Sequence, residues 1–223
     1  MRSQATPWML LGATLLPLVA APPLAAHESE TLRYRWVLGG FFGTVARVFL
    51  PGRGDGVLAT RRTVEGGLEV ELDITSPAAQ GEFWRYGAQI DPADGRTLKA
   101  WSTYKYRGKT DFKESEFDEE SVIDIASGIT LLRRLQPAAP VDLRIWNDGK
   151  IYPVTIFPRE HAMRSLGDRQ VAARHYAVRG RRVPGERVWK GRLDIYLAAD
   201  AAATPVEISL ERKMARVRLL LAE

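Results

Sequence analysis

Apolar residues recur at every second position along most of the chain. Leu32, Tyr34, Trp36 and Leu38 share one side of a segment whose other side carries Arg33 and Arg35. Val70, Leu72 and Ile74 alternate with Glu69, Glu71 and Asp73. Leu193, Ile195 and Leu197 alternate with Asp194 and, less cleanly, Tyr196, and Val206, Ile208 and Leu210 with Glu207, Ser209 and Glu211. Successive side chains of a strand point to opposite faces, so each set predicts a strand with one apolar face. A pairing slip of one residue would turn every one of these side chains outward, so register is strongly specified.

Turn chemistry separates the strands. Glu65-Gly66-Gly67 divides two apolar segments, and Asn147-Asp148-Gly149 between DLRIW and KIYPVTIF is the strongest hairpin signal. Asp94-Gly95, Gly167-Asp168 and the run 198–205 mark further turns. The rhythm predicts roughly ten to twelve strands, mostly in sequential antiparallel order. One segment departs from it. Within residues 117–135, Val122, Ile125, Ile129 and Leu132 fall at helical spacing. Asp118, Glu119 and Glu120 crowd its start and Arg133 and Arg134 its end, as the helix dipole favours. Gly128 inside it costs about 1 kcal/mol relative to Ala, which predicts a close contact with a strand beneath. Ser76-Pro77 predicts a second, short helix. The fold class is therefore mainly β, an antiparallel sheet with one α-helix packed on it.

Residues 1–26 read as a signal peptide: Arg2, an apolar run from Trp8 to Ala21, then Pro22-Pro23 and small residues. The run is shorter than the roughly 20 residues a membrane span needs. Cleavage is expected after Ala21 or Ala26, the alternative being an uncleaved anchor. Nothing later in the chain is long and apolar enough to span a bilayer, so the chain is expected to be non-spanning once the signal is removed. Residues 27–223 are expected to form a single β-rich domain located in the periplasm. The absence of Cys excludes a disulfide scaffold, a thiolate zinc site and a Cys nucleophile. A 45% hydrophobic, 26% charged composition excludes wholesale disorder.

Catalytic signatures are lacking. His161 follows Glu160 without an HExxH pattern, His27 and His175 stand alone, and there is no GxSxG, P-loop or GxGxxG. The glycines of VLGGFFG suit a turn or bulge, and Asp91 to Gly95 suits a hairpin turn better than a calcium loop. Glu114, Glu116 and Asp118, with Lys105, Lys109 and Lys113 nearby, read as a solvated charged face. No metal or cofactor is expected. Aromatic residues interleave with cations at Tyr34 and Trp36, at Trp84 and Tyr86, and at Trp101, Tyr104 and Tyr106. Such patterns can stack bases, but an exported protein gives no reason to expect nucleic acid. Two readings are left: a barrel core with snorkelling cations, or a cavity with a cationic mouth that takes an anionic amphiphile.

The helix carries a further signal. Asp124, Ser127, Leu132 and Arg133 lie in a segment that resembles the Asp-x-x-Ser-x-x-x-x-Leu-Arg motif of a bacterial envelope family known as domain of unknown function 3108. LRYRWVLGGFFGTVARVFL resembles that family's opening hairpin, YKYRGKTDFKESEFD the strand pair before the helix, and the stretch 189–221 its final three strands. Ile125 and Thr130 stand where the family motif has Pro and Tyr. The resemblance implies no established activity. It implies a curved sheet, a half-barrel or open barrel similar to those of periplasmic lipoprotein carriers, with the helix against its concave side. On that basis the expected lining for a lipid or other apolar ligand is Tyr34, Trp36, Leu72, Ile74, Ile208 and Leu210. The alternative is an envelope structural module whose trough is plugged by the helix and whose edge strand or basic 174–192 loop (Arg181, Arg182, Arg187) docks an envelope protein. Were there enzymatic chemistry, Asp124, Ser127 and Arg133 would be its candidates. Their spacing instead suggests a structural role, with a buried Asp124–Arg133 contact tying helix to sheet.

Overall fold

The computed structural model describes residues 29–39, 53–76, 81–106, 108–118, 122–212 and 215–222. The expected signal peptide, the VLGGFFG bend from Gly40 on, and the short helix after Ser76 lie outside them. The strands are β1 (Ser29–Gly39), β2 (Arg53–Arg62), β3 (Leu68–Ser76), β4 (Glu82–Ile90), β5 (Thr97–Tyr106), β6 (Lys109–Glu116) and β7 (Val122–Ile123). The helix α1 (Ile125–Leu135) follows, then β8 (Val141–Asn147), β9 (Lys150–Leu166), β10 (Arg169–Gly180), β11 (Arg192–Ala198), β12 (Pro205–Arg212) and β13 (Ala215–Leu221).

All thirteen described strands form one sheet in the order β6-β5-β4-β3-β2-β1-β13-β12-β11-β10-β9-β8-β7. Two antiparallel meanders meet at its centre, where β1 pairs with β13 from Tyr34↔Leu221 to Gly39↔Arg216. The pair β7–β8 is parallel. Wide twisted sheets curl, and this one curls until side chains bridge its edges. Trp146 Nε1 on β8 donates to Ser115 Oγ on the edge strand β6 at 2.9 Å, and its ring meets Phe117 edge-on at 6.5 Å. The result is a curved open barrel that backbone pairing does not close.

The alternating pattern becomes its inner face. Tyr34, Gly56, Ile74, Trp84 and Tyr104 are cross-strand neighbours in one row, and Trp36, Leu219, Ile208, Ile195 and Tyr176 in another. Gly54 makes room for the Trp36 indole, because a Cβ there would lie 2.3 Å from the Thr75 carbonyl and 2.5 Å from Trp36 Nε1. That indole N–H donates to the same carbonyl at 2.7 Å.

α1 fills the concave side. Ile125, Ala126, Ile129 and Leu132 join the same core as the inner face of both meanders, and the helix packs on β3, β4, β8 and β11. Its start differs from the sequence expectation. Asp118, Glu119 and Glu120 precede β7, so the first turn carries no acid, and Asp124 caps it instead. The Asp124 carboxylate accepts from the Ser127 N–H at 2.6 Å and the Ala126 N–H at 3.2 Å, while Ser127 Oγ accepts the Asp124 N–H at 2.8 Å: a reciprocal capping box. Gly128 faces β7, where an added Cβ would lie 3.1 Å from Ile123 Cδ1.

Candidate functional site

The helix motif residues do not form one constellation. Nine residues of helix rise about 13 Å, so Asp124 and Arg133 stand at opposite ends of α1. Arg133 instead ties the helix to β1: its guanidinium bonds both Glu30 oxygens and reaches the Ala202 carbonyl at 3.3 Å. Ser127 Oγ is occupied by the cap and by Thr97 Oγ1 at 3.1 Å. Burial pushes the Asp124 carboxyl above its ordinary value, against the hydrogen bonds from Ser127 and Ala126 that lower it. These groups hold the helix in place.

The six apolar candidates are brought together. Tyr34, Trp36, Leu72, Ile74 and Ile208 are buried and Leu210 is half-buried against them, all in the core that α1 packs on. The Tyr34 hydroxyl donates to the Pro205 carbonyl at 2.9 Å, and burial pushes its pKa far up. These side chains are the wall beneath the helix.

The open apolar space lies beside that wall, at the basic loop. Residues 181–191 join β10 to β11 and fold back over the sheet. Gly180 permits this, since a Cβ there would meet the Trp189 carbonyl oxygen at 2.2 Å. The Arg181 N–H donates to the Pro153 carbonyl at 2.9 Å, and the Glu186 carboxylate pairs with Arg144 at 2.7 Å, which pins the loop at two points. Trp189 is buried and joins the main core, its indole lying over Gly191. Between this loop and the β8–β9 hairpin lies a cleft of about 420 Å³. Tyr152, Val188 and Trp189 give it an apolar floor, and Asn147, Arg187 and Lys190 line it too. Arg187 and Lys190 are exposed, and neither has a carboxylate partner among the described residues. The geometry suits a small apolar group carrying an anionic end: ligand sites are mostly apolar with a few placed polar groups, and this volume falls within their usual range. The sequence marked the basic loop but not Tyr152, Val188 or Trp189. The signal was present in RVWKGR, where an apolar pair beside a glycine sits among cations.

The outer face of β9–β13 carries a ladder of charges. Asp194 binds Arg179 at 2.7 and 2.9 Å and His175 Nε2 at 2.8 Å, and His175 stacks on Tyr196 at 4.3 Å. Burial would raise the Asp194 carboxyl, but these hydrogen bonds and the Arg179 charge hold it below the ordinary carboxylate value. Arg164 lies 3.7 Å above the Tyr196 ring, and both Arg164 and Arg218 pair with buried Glu207. No group of metal-ligating side chains occurs among the described residues, and no described helix is long and apolar enough to cross a membrane.

No family model matches the chain, and no curated protein matches it. Among solved structures it is similar to a β-barrel-like protein of domain of unknown function 1849 from Brucella abortus. The two share 11% sequence identity with a TM-score of 0.54, over 88% of this chain and 97% of that one. It also matches LprF from Mycobacterium bovis at 11% identity with a TM-score of 0.25, over 90% of this chain and 88% of that one. The first likeness is one of fold, a barrel-like β structure.

Proposed function

We propose that the protein is an exported, periplasmic binding module of the cell envelope that holds an apolar or acyl ligand against its half-barrel. The observation that carries this reading is the cleft beside Trp189, apolar at its floor and cationic at its rim. Each buried CH₂ contributes about 0.8 kcal/mol, so eight methylenes give on the order of 6 kcal/mol before ordering costs. Arg187 and Lys190 suit a carboxylate or phosphate end. A longer chain would reach Tyr34, Trp36, Leu72, Ile74, Ile208 and Leu210, the deeper lining in this reading, by displacing α1. Export rests on residues 1–26. The first described strand begins at Ser29, so cleavage after Ala21 or Ala26 would leave every described strand intact. Membership in the envelope family of domain of unknown function 3108 rests on the motif from Asp124 to Arg133, whose Asp and Ser form the cap of α1.

The test is direct. Protein purified from the periplasmic fraction is extracted with organic solvent for mass spectrometry, and its N-terminus is sequenced. The delipidated protein is then titrated with dodecanoate while Trp fluorescence is followed. Co-purified acyl lipid and a saturable response, weakened at least fivefold by Arg187→Glu with Lys190→Glu, are expected. Protein that carries no lipid and gives no saturable response overturns the reading.

A further inference from the structure

α1 and the segment 181–191 reach the core from opposite ends of the barrel. α1 spans the end where β5 and β1 begin. Ser127 is bonded to Thr97, Arg133 to Glu30, and Arg133 also to the carbonyl of Ala202, in the turn that follows β11. Residues 181–191 join β10 to the start of β11, so they lie at the other end. The helix is fixed by its cap and by buried polar contacts. The segment 181–191 is held by much less.

Trp189 is its single buried residue. From Arg182 to Lys190 it makes no backbone hydrogen bond to the sheet among the described residues, and the bond from the Glu186 N–H to the Val183 carbonyl at 3.1 Å is internal. The two ion pairs that hold it, Glu186 with Arg144 and Arg181 with Asp142, have all four side chains at least a third exposed. Pairs so exposed contribute little to stability. The tip is nevertheless preformed. In Val183-Pro184-Gly185-Glu186, Pro occupies the second position and Gly185 has φ 81°, the pattern of a type II turn. Glycine stands at both roots. A Cβ on Gly191 would lie 2.5 Å from the Trp189 ring, as one on Gly180 would meet the Trp189 carbonyl, so the two together form a seat for this residue. Small residues at the ends of a stiff segment are also where hinges absorb a change of backbone angle. Trp189 lines the apolar cleft and belongs to the core, so the cleft opens into the barrel only when this side chain lifts.

We propose that residues 181–191 are a lid, which pivots at Gly180 and Gly191, lifts Trp189 from its seat, admits an acyl chain beneath it and reseats on the chain. The proposal rests on the acyl-binding reading, because it states how that same cleft is filled. The Glu186–Arg144 pair is the latch. A ligand that enters only through a minor open state binds at a rate set by the population of that state. Breaking the latch raises that population, so entry and exit both become faster.

The protein is labelled with 5-fluorotryptophan, and the Trp189 resonance is assigned from Trp189→Phe. Saturation-transfer fluorine NMR then detects exchange of Trp189 with a solvent-exposed state in wild type, Arg144→Gln and Arg144→Lys, each with and without dodecanoate. Calorimetry reports binding, stopped-flow fluorescence gives the rates, and unfolding curves check that each variant is folded. The exposed state is expected to be at least threefold more populated in Arg144→Gln, near wild type in Arg144→Lys, which keeps the pair, and suppressed by dodecanoate. Association and dissociation are both expected to be at least threefold faster in Arg144→Gln, although losing a cation by itself slows the approach of an anion. Absence of the exposed state, or a population that Arg144→Gln leaves unchanged, overturns the lid whether or not dodecanoate binds. So do unchanged rates in a variant that binds. A wild-type protein with no calorimetric response to dodecanoate overturns the acyl reading instead, and an exposed state raised in Arg144→Gln then still supports the lid.

Discussion

Asp124→Ala removes the cap that starts α1, and the structure sets the size of the effect. The loss of an N-cap costs about 0.5–2 kcal/mol. Here the two N–H groups it satisfies, on Ser127 and Ala126, are buried, and an unsatisfied buried donor costs about 1–3 kcal/mol. Partial relaxation of the first turn lowers the sum, so a loss of about 2–4 kcal/mol is expected. At roughly 2–4 °C per kcal/mol for a domain of this size, Tm falls by about 5–15 °C. Asp124→Asn separates cap from charge, since Asn caps well and is neutral. The folded-state pKa of Asp124 is raised above its unfolded value near 3.8, chiefly by burial. Its contribution to stability is therefore full below that unfolded value and is lost as pH rises through the folded one. The Asn variant lacks this dependence. Its stability relative to wild type is greatest near neutral pH and declines as pH falls toward 4. Urea unfolding followed by circular dichroism at several pH values measures both effects. An Ala variant within about 0.5 kcal/mol of wild type, a value below the cited capping range, or an Asn variant that gains on wild type with acidification, would refute the reasoning.

Gly54→Ala places a Cβ against the Thr75 carbonyl and the Trp36 indole, so a loss above about 2 kcal/mol in chemical denaturation and a red-shifted Trp emission are expected. Gly180→Ala drives the Trp189 backbone off the sheet; dodecanoate affinity should fall by a larger factor than stability does, and unchanged affinity would detach the cleft from the loop. Asp194→Asn should cost about 1–3 kcal/mol at neutral pH through its bonds to Arg179 and His175. Because the folded-state pKa of Asp194 is depressed, its contribution is present above the unfolded value near 3.8 and fades as pH falls through the folded one, so the variant's deficit should close in acid.

What the sequence revealed and what it hid divide by the range of the interactions concerned. The alternating sets became inner faces because each strand's pattern is local and a slip would expose all of it. Asn147-Asp148-Gly149 became the β8–β9 turn, with Asp148 at φ 58° and Gly149 at φ 75°, since only such residues enter the left-handed region cheaply. The helix was legible from its apolar spacing, but its start was not. Three acids before Val122 looked like a first turn, whereas two β-branched residues pair with β8 and postpone the helix to Asp124. The pairing of β1 with β13 and the parallel β7–β8 pair join segments that no local pattern links, and so did the partner of Arg133, which proved to be Glu30 rather than Asp124.

The proposed ligand cleft belongs to this nonlocal class. The Trp189 cleft needs a loop folded back across Gly180. The sequence showed its cations but not the apolar partners, Tyr152, Val188 and Trp189, that form its floor. Arginines on a uniform strand rhythm read as a solvated face. In the proposed cleft the rhythm breaks, and a buried aromatic side chain, Trp189, lies beside them at the edge of open space. A loop that interrupts the alternation next to an uncompensated charge is therefore the more informative signal in a chain whose rhythm is otherwise this regular.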